Sequence, residues 1–297
     1  MITFADKFLP YVEPTALVVT SVVICAGLAQ NFIYLVQLVV AYTALRKRPP
    51  VRRSQTLWAA YVDVAPPIAL LVPAYNEEAT VVENVRSILS LHYPDFEVIV
   101  VNDGSKDRTL AVLIEAFELQ EIERPFENEV EHKAVRGLYG ASVYPNLTVV
   151  DKENGGKSDA LNAAINVSHA PLFCAVDADS LLEADSLLRS LQPFIDEPER
   201  AVVVGGTIRV VNGCDVRAGR VRQIGLPTQL LPLIQTVEYL RAFLMARLAW
   251  SRMRSLTIVS GAFGIFRRNI AIAVGGYSHG TVGEDFEIIL KIHRYMR

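Results

Sequence analysis

Carboxylates, amides and a lysine are gathered in four short polar clusters, each directly behind an apolar run. They are Pro73-Ala74-Tyr75-Asn76-Glu77-Glu78, Asn102-Asp103-Gly104-Ser105, the stretch 151–157 with Asn154-Gly155-Gly156-Lys157 inside it, and Asp177-Ala178-Asp179. Side chains of this kind can hold a polar, charged ligand by hydrogen bonding and ion pairing. Taken singly, each cluster is as well explained by a turn or a helix cap. Four clusters at successive strand ends carry more weight, because an open α/β sheet binds its ligands in the crevice outside the carboxyl ends of its strands.

The elements that must position these clusters are legible as alternating patterns. Apolar runs at 68–72, 96–101, 147–150 and 172–176 read as strands, and helical patterns follow each at 81–91, 109–117, 158–168 and near 184–194. Thr80 with Glu83 has capping-box spacing for the first of these helices. A β-branched run at 202–211 closes this portion. Alternation of strand and helix predicts an α/β fold, a mostly parallel sheet with helices on both faces. The stretch 119–144 breaks the rhythm. It is acidic at first (Glu121, Glu123, Glu127, Glu129, Glu131), lacks a period, and reads as a solvated surface insertion with no catalytic role.

Ahead of this domain, residues 14–45 contain no Asp, Glu, Lys or Arg. A bilayer core needs about 20 apolar helical residues, so this run is long enough to cross. A cleaved signal peptide has a shorter apolar region, with its basic residues in front. Here Arg46, Lys47, Arg48, Arg52 and Arg53 come after the run, which predicts one transmembrane helix with the remainder on the cytoplasmic face of the plasma (inner) membrane. Gln30, Asn31 and Gln37 within the run either bond locally or face other transmembrane helices. The expected organisation is residues 1–45 with the span, 46–67 as a basic, Pro-rich linker, and 68–297 as the main domain. The 297 residues carry a net charge of -3, which gives no whole-chain footprint for nucleic acid. The three cysteines, Cys25, Cys174 and Cys214, are too scattered for a metal-ligand spacing or a disulfide scaffold.

With the motifs in order, the chain resembles the family 2, GT-A-fold glycosyltransferases of the processive type, which includes cellulose, hyaluronan and poly-N-acetylglucosamine synthases. The matching segments are Pro-Ala-Tyr-Asn-Glu (73–77), Val-Asn-Asp-Gly-Ser (101–105), Asn-Gly-Gly-Lys (154–157) with Ala-Leu-Asn (160–162), Asp-Ala-Asp (177–179), Ser-Gly-Ala-Phe (260–263) and Gly-Glu-Asp (283–285). The resemblance implies a nucleotide-diphospho-sugar (Rossmann-like) fold and an inverting transfer from a nucleotide sugar, a UDP-sugar, to a saccharide acceptor in polysaccharide synthesis. It implies that Ala74, Tyr75, Glu77 and Asp103 hold the nucleoside, that Lys157 stands by the diphosphate, and that Asp177 meets the ribose. Asp179 would ligate Mg2+ or Mn2+, a hard cation completed by substrate phosphates. Asp285 would be the general base, with Ser260, Gly261, Ala262 and Glu284 at the acceptor. Read without the resemblance, Glu284 and Asp285 are acidic first-turn residues favoured by a helix dipole, and both readings can hold together.

The stretch 235–254 sets Val237, Leu240, Phe243, Leu244, Leu248 and Trp250 among Arg241, Arg247, Arg252 and Arg254. It reads either as a helix lying at a membrane surface or as one packed on the sheet, and the resemblance favours the former. Processive members carry a Gln-x-x-Arg-Trp motif and further spans beyond the base. Neither lies between Asp285 and Arg297, so the domain is expected to be C-terminally incomplete or to have partner helices on another chain. Two other functions fit the same residues: transfer of one sugar to a lipid carrier, and a catalytically silent nucleotide-binding scaffold.

Overall fold

A computed structural model of the chain describes residues 4–47, 54–178, 180–217, 220–281 and 283–297. In chain order the helices are α1 (Phe4–Arg46), α2 (Ser54–Tyr61), α3 (Val81–Leu89), α4 (Thr109–Phe117), α5 (Lys157–Val167), α6 (Ser186–Asp196), α7 (Leu230–Tyr239), a π-helical stretch (Leu240–Ala246), α8 (Arg247–Arg252), α9 (Arg268–Ala273) and α10 (Glu284–Tyr295). The strands are β1 (Ile68–Ala74), β2 (Phe96–Asp103), β3 (Gln120–Glu121), β4 (Val135–Gly140), β5 (Leu147–Lys152), β6 (Leu172–Ala175), β7 (Val203–Gly205), β8 (Asp215–Arg217), β9 (Arg220–Gln223) and β10 (Gly264–Arg267). These elements fall into two compact units, Met1–Arg48 with Glu238–Leu256, and Pro49–Val237 with Thr257–Arg297.

In the smaller unit, Thr15–Arg46 is apolar enough to cross a membrane, with a mean hydropathy of 2.0 in an eighteen-residue window that has no buried residue. At about 1.5 Å per residue its 32 residues exceed the ~30 Å hydrocarbon core. Asn31 bonds locally, Nδ2 donating to the Gly27 carbonyl at 2.8 Å, whereas Gln37 is buried with no partner for Oε1 among the described residues. The π-helical stretch and α8 pack against α1, and the Arg241 guanidinium lies 5.0 Å from the Tyr34 ring.

The larger unit is an eight-stranded sheet in the order β3-β4-β5-β2-β1-β6-β10-β7. Its middle, β5-β2-β1-β6, is parallel, and antiparallel strands flank it on both sides. Side chains alternate across a strand, so each strand feeds two layers. Leu70, Val72, Val98, Val100, Val149 and Cys174 join the cluster of α2, α3, α4 and α6 on one face. On the other, α5 lies along β1 and β2, and its small Ala160, Ala163 and Ala164 allow a close approach at zero exposure. On α3, Val81, Val85 and Ile88 form the buried stripe of an amphipathic helix.

Four expectations change. Part of the presumed linker is α2, whose Leu57 and Tyr61 are buried in the core; the basic residues Arg48, Arg52 and Arg53 lie outside the described residues. The 119–144 stretch contains β3 and β4, which extend the sheet, β4 by pairing with β5 and β3 by pairing with β4. Strand β4, with two glycines and only Leu138 buried, shows no period of its own, because β5 supplies the order. Thr80 makes no side-chain cap bond; its hydroxyl donates to Glu77 Oε2 at 2.7 Å. Within the 202–211 run only Val203–Gly205 is strand.

Candidate active site

The register of the parallel strands brings the polar clusters to one edge. Ala74 pairs with Asn102, Asn102 with Asp151, and Asp103 with Lys152, so β1, β2 and β5 end side by side. Just beyond those ends lies a cleft of about 530 Å³ lined by Ala74, Tyr75, Glu77, Asp103, Lys157 and Asp177, together with Asn154 and Gly156. The six residues expected at a nucleotide sugar therefore share one cavity. The β1 and β2 loops are laced together: Asn76 N donates to Ser105 Oγ at 3.0 Å, Lys106 N to Asn76 Oδ1 at 2.9 Å, and Glu77 N to Thr109 Oγ1 at 2.8 Å. Asn76 takes a left-handed φ of 56°, which asparagine tolerates better than most residues. Tyr75 is left with an exposed ring on the cleft, a flat surface on which a base can stack.

Asp103 is nearly sealed, at 3% exposure. Its carboxylate accepts from Lys152 Nζ at 2.7 Å, Gly155 N at 3.0 Å and Gly156 N at 2.7 Å, and Asn154 Nδ2 donates to its carbonyl at 2.7 Å. It thus clamps the Asn154-Gly155-Gly156 turn as well as facing the cleft. Gly156 sits at a φ of 89°, where a side chain is strained. Lys157 then opens α5, and its Nζ donates to Asp177 Oδ1 at 2.5 Å. Burial works against the lysine's charge, but Asp177 first, then Asp285 and Glu284, raise its pKa overall.

The second wall comes from the far end of the chain. Asp285, in the first turn of α10, accepts from Gly261 N at 2.7 Å through Oδ2. A Cβ on Gly261 would stand 2.7 Å from Asp285 Oδ2 and 2.8 Å from Lys157 Nζ, so this position brings the acid and the lysine together only by having no side chain. Burial raises the Asp285 carboxyl above the usual range, against the pull of Lys157 and the Gly261 N–H. Ser260 and Ala262 flank the same turn, with Phe263 N donating to the Ser260 carbonyl at 3.1 Å. Glu284 is half-buried next to Asp285, and its charge acts on both Asp285 and Lys157.

Helix α5 ties the two walls. Asn162 donates to the Tyr277 and Glu131 carbonyls at 2.9 Å and accepts from Tyr277 N at 2.9 Å, so its amide holds the chain that leads to Asp285. Asn166 brackets Val130 in the same way, at 2.7 and 3.1 Å. Sequence reasoning missed Lys152 and Asp159, both buried and ion-paired. The available signal was a lysine inside the third polar cluster, two residues behind the apolar run 147–150.

Asp179 lies outside the described residues. Its neighbour Asp177 offers the cleft one carboxylate, and no group of three His, Cys, Asp or Glu among the described residues could hold a metal. One or two carboxylates fit a hard cation that takes its remaining ligands from water and substrate phosphates, as Mg2+ and Mn2+ do.

A family model described as glycosyl transferase family 2 matches residues 69–275, a span that ends before Glu284 and Asp285. Among curated proteins, the chain is similar to a poly-beta-1,6-N-acetyl-D-glucosamine synthase of Staphylococcus epidermidis, 27% identical over 228 residues, 77% of this chain and 46% of the relative. The synthase of the same name from Staphylococcus aureus (strain COL) is 24% identical over 232 residues, 78% of this chain and 47% of the relative. The chain thus spans about half the length of these relatives. Among solved structures, the mannosyltransferase PcManGT from Pyrobaculum calidifontis, in complex with GDP-Man and Mn2+, superposes with a TM-score of 0.56 at 20% identity, covering 89% of this chain and 62% of that one. That superposition is a likeness of fold.

Proposed function

Because this chain belongs to glycosyl transferase family 2, we propose that residues 68–297 bind the donor and carry the base of an inverting glycosyltransferase, moving a sugar from a UDP-sugar to a saccharide acceptor in polysaccharide synthesis. The observation that supports this reading best is the shared cleft of Ala74, Tyr75, Glu77, Asp103, Lys157 and Asp177, with Asp285 meeting Lys157 at Gly261. Tyr75 stacks on the base, Glu77 and Asp103 accept base or ribose donors, and Asp177 meets the ribose. Lys157 places its charge beside the diphosphate, as a compact ammonium can.

The acceptor hydroxyl lies against Ser260, Gly261, Ala262 and Glu284. With Oδ2 of Asp285 already taken by the Gly261 N–H, Oδ1, which accepts no hydrogen bond among the described residues, receives the hydroxyl proton as that oxygen attacks the anomeric carbon. A carboxyl with a raised pKa is the better base near neutrality, because the driving force for proton transfer grows. Attack on the face opposite the diphosphate is a single displacement, so an α-linked donor yields a β-linkage. Asp179 would hold Mg2+ or Mn2+, which when bound would supply charge neutralisation for the departing nucleoside diphosphate.

The relatives' name makes UDP-N-acetylglucosamine the first donor to try. Helix α1 is taken to span the plasma membrane, with the larger unit in the cytoplasm by the basic residues that follow it. The acceptor is a growing or lipid-linked saccharide, and further transmembrane helices pack beside the span. The experiment is to incubate the membrane-embedded chain with Mg2+ or Mn2+, an oligosaccharide acceptor and, in turn, UDP-N-acetylglucosamine, UDP-glucose and UDP-glucuronate. Anomeric NMR of the product reports the stereochemistry. A β-linked product that vanishes in Asp285→Asn is expected; retention of configuration, or transfer unaffected by that substitution, would sink the mechanism.

A further inference from the structure

Lys152 ends β5 with its side chain 0% exposed. Its ammonium donates to Asp103 Oδ1 at 2.7 Å and to the Glu153 carbonyl at 2.5 Å, and pairs with Asp159 Oδ1. Asp103 comes from β2 and Asp159 from the first turn of α5, with side chains 5% and 3% exposed. Removing three ions from water is costly, and apolar replacements of such groups are often the more stable choice. The cluster therefore asks for a reason other than stability.

The stoichiometry supplies one. Two carboxylates share a single ammonium, and the other partners facing them are mostly neutral: Gly155 and Gly156 N–H on Asp103, and Lys133 N–H on Asp159 at 3.0 and 3.2 Å. The His279 ring stands 3.7 Å from Asp159 Oδ2. Asp103 is the only one of the three ions that also lines the cleft. Its counter-ion is divided with Asp159, so negative charge remains on an oxygen pair whose direction is fixed from three sides.

We propose that Lys152 and Asp159 are positioning residues that set the base specificity of the cleft, by fixing Asp103 in place while leaving it only half-neutralised. This rests on the nucleotide-sugar reading above. An acceptor of that kind selects a nucleoside diphosphate whose base turns an imide N–H toward it, as uracil does. It disfavours cytosine, which presents a ring-nitrogen lone pair at the same edge.

The test is calorimetric binding of UDP and of CDP to the full chain and to two variants, with thermal melting as the check on folding. Wild type should bind UDP about tenfold tighter than CDP or better, the scale of one hydrogen bond to a charged acceptor. Asp159→Asn removes one buried charge at constant shape and gives Lys152 to Asp103 alone, so the UDP:CDP ratio should fall by roughly three- to tenfold. The double variant Lys152→Met with Asp159→Asn frees Asp103 of its counter-ion, and the ratio should climb back to the wild-type value or above. A merely structural role would weaken both ligands together and leave the ratio alone. An unchanged ratio in both variants, or parallel loss of UDP and CDP binding, overturns the proposal. A wild type that binds neither ligand overturns it together with the nucleotide-sugar reading, a distinct result.

Discussion

Asp103 and Asp285 stand on opposite walls of one site and are treated in opposite ways. Asp103 is surrounded: an ammonium and two backbone N–H groups converge on its carboxylate, and strand register sets its place. Among the described residues Asp285 accepts one N–H, from Gly261, and burial leaves its carboxyl above the usual range. The first arrangement suits a group that must recognise without reacting. The second suits one that must take a proton. Environment, more than residue type, separates a binding carboxylate from a basic one.

The substitution Asp285→Asn presses hardest on that contrast. Loss of a general base typically lowers rate by about 10²–10⁴, so kcat should fall on this scale while the donor KM stays within about threefold. A large rise in donor KM would instead place Asp285 on the binding side. Asp103→Ala should give the complementary pattern. Donor KM should rise by roughly tenfold to a hundredfold, and chemical melts should show a stability loss of about 1–3 kcal/mol, because the Gly155 and Gly156 N–H groups lose their acceptor while Lys152 keeps Asp159. A variant that melts like wild type would show that those N–H groups find another acceptor.

The two walls also differ in how far the sequence discloses them. Ala74 and Asp103 end parallel strands, Asp177 follows one and Lys157 opens the helix behind another, and an apolar run announces each place in advance. Gly261 and Asp285 have no such herald. Their meeting depends on a backbone N–H reaching a carboxylate 24 residues away, so motif resemblance alone pointed to them. Strand β4 was missed because its order comes from β5, and Lys152 because a buried lysine is legible only once both of its carboxylates are in place. Thr80 shows the opposite failure: its spacing to Glu83 suits a capping box, yet its hydroxyl donates to Glu77 Oε2 and makes no cap bond.

Gly261→Ala tests whether the second wall depends on close approach. The added Cβ would lie 2.7 Å from Asp285 Oδ2 and 2.8 Å from Lys157 Nζ, so one or both must move. A shift of about 1 Å in a catalytic group can cost up to roughly 100-fold, so kcat should drop about ten- to a hundredfold. UDP affinity should change far less. Equal losses in UDP affinity and kcat would mean that Lys157 is what moved.

The smallest expected effect concerns pH. Asp285 must be ionised to accept a proton, and burial raises its pKa, so kcat at saturating donor should have an acid limb above the ordinary aspartate range, rising as pH rises. Lys157 pulls that pKa down, so Lys157→Met should carry the limb to higher pH, beyond whatever it does to donor affinity. The stability linkage has a definite sign. A carboxyl raised in the folded state holds its proton more tightly there, so its favourable contribution is complete below the unfolded pKa and is lost as pH climbs through the folded one. Asp285→Asn removes that dependence. The variant should therefore gain stability relative to wild type as pH rises across that window, read as a growing difference in Tm while activity is lost. A Tm difference that stays flat with pH would mean that Asp285 is no more strained as an anion in the fold than in the unfolded chain, and the contrast with Asp103 would lose its electrostatic basis.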